Sequence, residues 1–92
     1  MYIVVNHEIN DAARFWATAK EATANLPANL KVLHTFPSPD GRRSVCGWEA
    51  DSVDAVRSFR DPATAGMARN EYFQTPSKEG ISMPTLARSA GA

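Results

Sequence analysis

The sequence predicts an α+β domain in which four strands and two helices follow the order β-α-β-β-α-β. Runs rich in β-branched and aromatic residues, which suit a half-buried pleated surface, alternate with stretches whose apolar residues recur every three or four positions. Asp40-Gly41 is a strong hairpin signal, because glycine adopts a positive φ without steric cost. The second and third strands are therefore expected to pair antiparallel.

The first half of the chain is predicted to form a strand, a helix and a second strand. In the strand over residues 2–9, side chains alternate between two faces. The face expected to meet the helices carries Ile3, Val5, His7 and Ile9, and the other carries Tyr2, Val4, Asn6 and Glu8. Asn10 is the expected N-cap of a helix over residues 11–25. The second strand covers residues 30–36, with Leu30, Val32, His34 and Phe36 on one face.

The second half supplies the remaining strands and the second helix. The third strand is expected over residues 43–50, followed by a helix that Asp51 or Ser52 caps. Asp61-Pro62 is predicted to start a separate short helix, since proline is favoured at the first helical position. The fourth strand is expected over residues 70–75.

This order is that of the ferredoxin-like split βαβ fold, with both helices on one face of an antiparallel four-stranded sheet. We expect this domain to span residues 1–76 and residues 77–92 to form a partly flexible C-terminal arm. The opposite sheet face also needs cover, and a second copy of the chain would provide it. A homodimer with facing sheets is therefore predicted.

The composition narrows the function classes. Ten Lys and Arg balance ten Asp and Glu, so the basic excess of a nucleic-acid-binding protein is missing. No apolar run approaches the ~18 residues of a membrane span, so no membrane partner is expected. The single cysteine excludes an internal disulfide framework and fits a reducing compartment, so we expect a cytoplasmic protein.

The stretch "RSVCGWEADSVDAVRSF" resembles the dimeric α/β-barrel superfamily, in which a strand ending in Trp-Glu precedes a capped helix. That superfamily includes antibiotic-biosynthesis monooxygenases, haem-degrading monooxygenases and stress-responsive barrel proteins. "VCGWEADSVDAV" is most similar to a group of small uncharacterised members, some of them linked to nickel. The resemblance covers residues 1–76 and implies a dimeric α/β barrel.

The resemblance also implies site residues. Haem-degrading members use an Asn on the first strand, a Trp near the third strand and a His on the second helical segment. Asn6 and Trp48 match the first two roles, but no His follows His34, so the haem ligand is missing. Cofactor-free monooxygenases use a few polar residues in an apolar pocket, and Asn6 and Trp48 are compatible with that. We therefore expect no cofactor.

The first functional hypothesis is a small-molecule pocket between the sheet and the helices, with cofactor-free monooxygenase-like activity as one outcome. Asn6 would donate a hydrogen bond, His34 would orient the ligand or accept a proton, and Trp48 would form an apolar wall. Tyr72 would add its hydroxyl, and Glu49 would serve as a base if buried, because burial raises a carboxylate pKa. Each of these residues could also have only a structural role, either in the core or at a solvent-exposed end of a strand.

Two alternatives stay open. A metal-binding or metal-responsive protein for nickel, zinc or copper would use His7, His34 and Cys46, assembled across strands because no Cys-x-x-Cys or His-x-x-x-His spacing exists. The other alternative is a non-catalytic dimerisation or interaction module. It gains weight if the polar candidates are exposed or paired locally.

Overall fold

A computed structural model of the chain describes residues 1–75, and the predicted C-terminal arm lies outside the described residues. Six elements follow one another in the predicted order. They are β1 (Tyr2–Ile9), α1 (Ala12–Ala24), β2 (Lys31–Pro37), β3 (Arg43–Glu49), α2 (Val53–Ala63) and β4 (Ala68–Thr75). The α+β fold class predicted from the sequence is confirmed.

The strands form one four-stranded sheet in the order β2-β3-β1-β4, and all neighbouring strands are antiparallel. β1 and β3 therefore occupy the centre, and each of the two helices connects strands that are parallel but not adjacent. This is the ferredoxin-like arrangement. No helix within residues 1–75 is long and apolar enough to cross a membrane.

The start of α1 differs by one residue from the prediction. Asp11, rather than Asn10, is the N-cap, and its carboxylate accepts a hydrogen bond from the Arg14 backbone N–H at 3.2 Å. The Asn10 backbone N–H donates instead to the Met67 carbonyl at 2.8 Å. The Asp11 backbone N–H donates to the same carbonyl at 3.2 Å, so both residues are tied to the turn that precedes β4 before the helix begins.

The second helix differs from the prediction at Pro62. α2 continues through Asp61 and Pro62 to Ala63, so the separate short helix predicted after Asp61 does not form. Pro62 removes the helical hydrogen bond to the carbonyl of Ser58, but α2 ends one residue later, so no further turn has to form beyond this break. Thr64 closes the helix by donating both its backbone N–H and its hydroxyl to the Arg60 carbonyl, at 3.0 and 2.9 Å.

Ser52 caps α2 at its other end, and its hydroxyl oxygen accepts a hydrogen bond from the Ala55 backbone N–H at 3.0 Å. We expect Ser52→Ala to lower the free energy of unfolding by about 1 kcal/mol, the usual cost of losing an N-cap. Urea unfolding followed by circular dichroism measures this. Ser52→Asp, which restores an N-cap acceptor, should recover most of the loss, and equal losses in both variants would contradict the capping role.

The face of the sheet that meets the helices contains the core. Its central cluster consists of Ile3, Val5, Leu30, Cys46, Trp48, Ala50 and Val56. The predicted alternation in β1 is confirmed on this side, because Ile3, Val5, His7 and Ile9 are all buried. His7, a polar residue, is fully buried on this side.

A β-bulge in β2 changes which of its side chains share a face. Val32 pairs with Trp48, and His34 pairs with the next residue of β3, Gly47, so Leu33 is the extra residue. After the bulge, Thr35 faces the helices, and its hydroxyl lies 3.7 Å from the Cys46 sulfur. The predicted set Leu30, Val32, His34 and Phe36 on one face is therefore wrong. His34 and Phe36 lie on the opposite face of the sheet from Val32.

Gly47 makes room for His34 on that opposite face, which we call the open face. A Cβ atom at position 47 would overlap the His34 imidazole ring. Strand register places Val4, Val45 and Phe73 on the same face, and Phe36 and Phe73 are 62% and 49% exposed. The open face thus presents exposed apolar side chains together with charged ones.

Candidate functional site

A cleft of about 280 Å³ lies between α1 and the helix-facing side of the sheet. Most of its wall is apolar or aromatic. The lining residues are Phe15, Trp16, Ala19, Lys20 and Thr23 from α1, Val32 and Thr35 from β2, Cys46 and Trp48 from β3, and Arg60 from α2. Ala19 and Thr23 are short, and the bulge in β2 brings Val32 and Thr35 to the same wall. These features leave a concave apolar space with a few polar groups, as ligand sites commonly have.

Arg60 is the most unusual residue in this wall. It is 3% exposed, and no carboxylate among residues 1–75 forms an ion pair with it. Its guanidinium carbon lies 5.7 Å from the centre of the Phe15 ring, which gives partial compensation through a cation–π contact. The Nε–H has no hydrogen-bond acceptor within the described part of the chain. Burial lowers the pKa of this guanidinium, but an arginine stays charged in proteins.

Trp48 provides a second buried donor in the same wall. Its side chain is 2% exposed, and its ring contacts that of Phe59 edge-on, with centroids 6.2 Å apart. The indole N–H has no acceptor among residues 1–75. Buried donors of this kind are costly when unsatisfied, but both nitrogens are inaccessible to solvent, so neither donor opens into the cleft.

A hydrogen-bonded network holds His7 behind the cleft. The Asn70 amide group donates to the Thr64 hydroxyl at 2.9 Å and to an Asp61 carboxylate oxygen at 3.1 Å. The Asn70 carbonyl oxygen is therefore the group that faces His7 Nδ1, at 2.6 Å, and Nδ1 must be the donor.

The tautomer of His7 follows from this network. With the proton on Nδ1, the neutral ring carries a lone pair on Nε2, which is buried and has no partner within residues 1–75. Burial lowers the His7 pKa, the Asn70 hydrogen bond opposes this, and the nearby charge of Arg60 lowers the pKa further. The Phe15 ring, 5.1 Å away and edge-on, separates the imidazole from bulk water. His7 is therefore a neutral base at pH 7.

Tyr72 belongs to the same network and lies outside the cleft. Its hydroxyl donates to an Asp61 carboxylate oxygen at 2.6 Å, and the Arg57 guanidinium carbon lies 5.2 Å from its ring centre. Burial raises the pKa of this phenol, and the Asp61 carboxylate raises it further. Tyr72 thus joins β4 to α2.

The sheet divides the predicted small-molecule residues between its two faces. Trp48 lines the cleft and Tyr72 lies on the same side, whereas Asn6 and His34 lie on the open face. Glu49 is half-buried at the end of β3. Asn6 and His34 do not meet Trp48 in one pocket, so the functions assigned to them from the sequence stay predictions for the open face.

The predicted metal ligands are divided in the same way. His7 and Cys46 are buried on the helix side, and His34 lies across the sheet from them. Among residues 1–75, no group of three or more His, Cys, Asp or Glu side chains is arranged to hold a metal ion.

Sequence reasoning missed Arg60, although a signal was present. Arg60 follows Val56 by four positions, so a charged residue falls on the apolar stripe of α2. A charge on the buried face of a helix is unusual enough to draw attention to a site.

Comparisons with known proteins do not place the chain in a family. No family model, no curated protein and no solved structure matches it. The fold and the cleft define its class: a small ferredoxin-like α+β protein with a ligand-sized cleft between α1 and the sheet.

Proposed function

We propose that this protein binds a small organic molecule in the cleft between α1 and the sheet. The observation that carries the proposal is Arg60, a buried guanidinium without an ion pair among residues 1–75, in the wall of an apolar cleft. A volume of about 280 Å³ is near the lower end of typical ligand sites, which span about 300–1,000 Å³. A ligand of modest size fits this space.

Filling the cleft tests the proposal. We expect Ala19→Phe to place a ring in the cleft and to weaken ligand binding at least tenfold, because the ring occupies the space that the ligand needs. Binding is measured by the fluorescence of Trp16 and Trp48 and by amide NMR shifts during titration with small aromatic compounds. Ala17→Phe is the matched control, since Ala17 is exposed on the same helix.

The outcomes of this titration separate cleanly. The proposal predicts shifts at Phe15, Ala19 and Val32 in the unmodified protein that disappear in Ala19→Phe and persist in Ala17→Phe. Compounds that bind both variants equally, or that shift only residues outside the cleft, would contradict it. Monooxygenase-like chemistry, as the sequence resemblance implies, would take place on a molecule held here and is tested by oxygen consumption with bound phenols.

We also propose that the open face pairs with that of a second copy, which gives the dimeric barrel. Phe36, Val45 and Phe73 are exposed there, and a monomer gains nothing from leaving three large apolar groups in water. Charge does not oppose self-association. The chain has a formal net charge of zero, and Arg69 lies between Glu8 and Glu71 at 3.4 and 3.6 Å. Sedimentation should therefore give twice the chain mass of 10.0 kDa.

A further inference from the structure

The charges around the cleft have one sign. Lys20 and Arg60 are the charged residues in its wall, and no Asp or Glu lines it within residues 1–75. Lys20 is exposed and screened by water, whereas Arg60 is nearly inaccessible. A buried cation without a counter-charge is strongly disfavoured, and arginine cannot relieve this by losing its proton. The missing negative charge is therefore a property to expect of the ligand.

The hydrogen-bonding pattern points to the same group. Arg60 forms no side-chain hydrogen bond with residues 1–75, and because its Nε–H is inaccessible, its terminal nitrogens are the donors that can face the cleft. A carboxylate has two oxygens and about four acceptor positions, so one carboxylate can accept from both terminal nitrogens of a guanidinium. Hydrogen bonds from a guanidinium to a carboxylate are also about twice as strong as those between neutral groups.

The rest of the wall selects an organic body over a bare inorganic anion. Aromatic and aliphatic surface is offered by Phe15, Trp16 and Val32. A hydrated ion would keep this apolar surface in contact with water, which is unfavourable. The volume of about 280 Å³ equals roughly nine water-sized volumes of about 30 Å³ each. One ring with a carboxylate is of this size.

We propose that the cleft binds small monocarboxylic acids with an apolar, ring-sized body, and that Arg60 binds their carboxylate. This inference rests on the proposed function, because it names the class of ligand for the same cleft. The carboxylate accepts hydrogen bonds from the terminal nitrogens of Arg60. The body packs between Phe15, Trp16 and Val32.

Benzoate, benzamide and sulfate are the probes that test this. Benzoate has both the negative charge and the ring of the proposed ligand. Benzamide has the ring without the charge, and sulfate has negative charge without the ring. Titration of the full chain, followed by amide NMR shifts and tryptophan fluorescence, should show benzoate binding at least tenfold more tightly than either of the others. Arg60→Gln should weaken benzoate binding at least tenfold and leave benzamide binding unchanged.

Two further variants show whether a loss of benzoate binding in Arg60→Gln could come from misfolding. Arg57→Gln removes a cation from the same helix, but Arg57 is exposed and paired with Asp54, so benzoate affinity should not change. Arg60→Lys keeps the charge and should retain a preference for benzoate over benzamide, although a smaller one, since lysine lacks the planar fork of donors. If Arg60→Gln does not fold, the comparison of Arg60→Lys with the unmodified protein decides the outcome.

Each result has one meaning. Benzamide binding as tightly as benzoate would overturn the carboxylate inference while leaving the cleft as a ligand site. Sulfate binding as tightly as benzoate would show that the cleft recognises charge alone, and would overturn the organic acid. If none of the three probes shifts the lining residues, both this inference and the proposed function fail, and Ala19→Phe then has nothing to weaken.

Discussion

Phe73→Asp is expected to convert the proposed dimer to a monomer. Phe73 is 49% exposed and lies opposite Val4 on the open face, in the edge strand β4. Aspartate would place one carboxylate from each copy in an apolar contact, where an unpaired charge costs several kcal/mol. Since each 1.4 kcal/mol is a tenfold change, the dissociation constant of the dimer should rise at least a hundredfold.

Sedimentation velocity at a fixed protein concentration measures this change. Ala17→Asp is the control, because it adds the same charge at an exposed position on α1, on the other side of the sheet. It should leave the dimer intact. A monomeric unmodified protein would remove the barrel proposal, as would a Phe73→Asp variant that sediments as a dimer. The cleft lies within one copy, so neither outcome alters the ligand proposal.

The free energy of unfolding is expected to fall as the pH falls below about 6.5, the ordinary histidine pKa. His7 is 2% exposed, and its pKa is lowered first by burial and then by the charge of Arg60. Below pH 6.5 the unfolded chain therefore binds a proton that the folded chain does not bind. One such group gives a slope of at most about 1.4 kcal/mol per pH unit, which ends once the pH is below the folded pKa.

Urea unfolding at several pH values between 7 and 5 measures that slope, above the range in which most carboxylates titrate. His7→Asn is the informative variant, since the Asn amide can still donate to Asn70 but does not titrate. It should be less stable at pH 7 and nearly independent of pH over this range. A slope that persists unchanged in His7→Asn would assign it to other groups and would contradict the buried neutral state of His7.

Much of the fold could be predicted because it depends on local patterns. The alternation in β1 fixed which residues face the helices, and Asp40-Gly41 placed the hairpin, where Gly41 has a φ of +72°. Pro62 misled the prediction at α2 because proline both starts helices and fits their last turn. Contacts formed in the folded chain decided where α2 ends, because the Thr64 hydroxyl donates to the Arg60 carbonyl at the end of the helix.

The site was harder to predict for two physical reasons. The bulge at Leu33 shifts the side chains after it by one position, so His34 moved to the open face although the sequence alternates evenly. A bulge of this kind has no local sequence signal. The importance of Arg60 depends on what lies around it after folding, namely Phe15 and Trp48, which are distant along the chain. Trp48 was placed on the wall of a pocket from the sequence, but its unsatisfied N–H could be found only in three dimensions.

The most direct measurement of the central claim is a crystal structure of the protein soaked with 4-bromobenzoate, whose bromine is located by anomalous scattering. The account predicts a bromine peak in the cleft, against Phe15 and Val32, with the carboxylate within hydrogen-bond distance of Arg60. A peak only elsewhere, or a cleft that stays free of ligand at saturating concentration, would contradict the assignment of this cleft as a site for small organic acids.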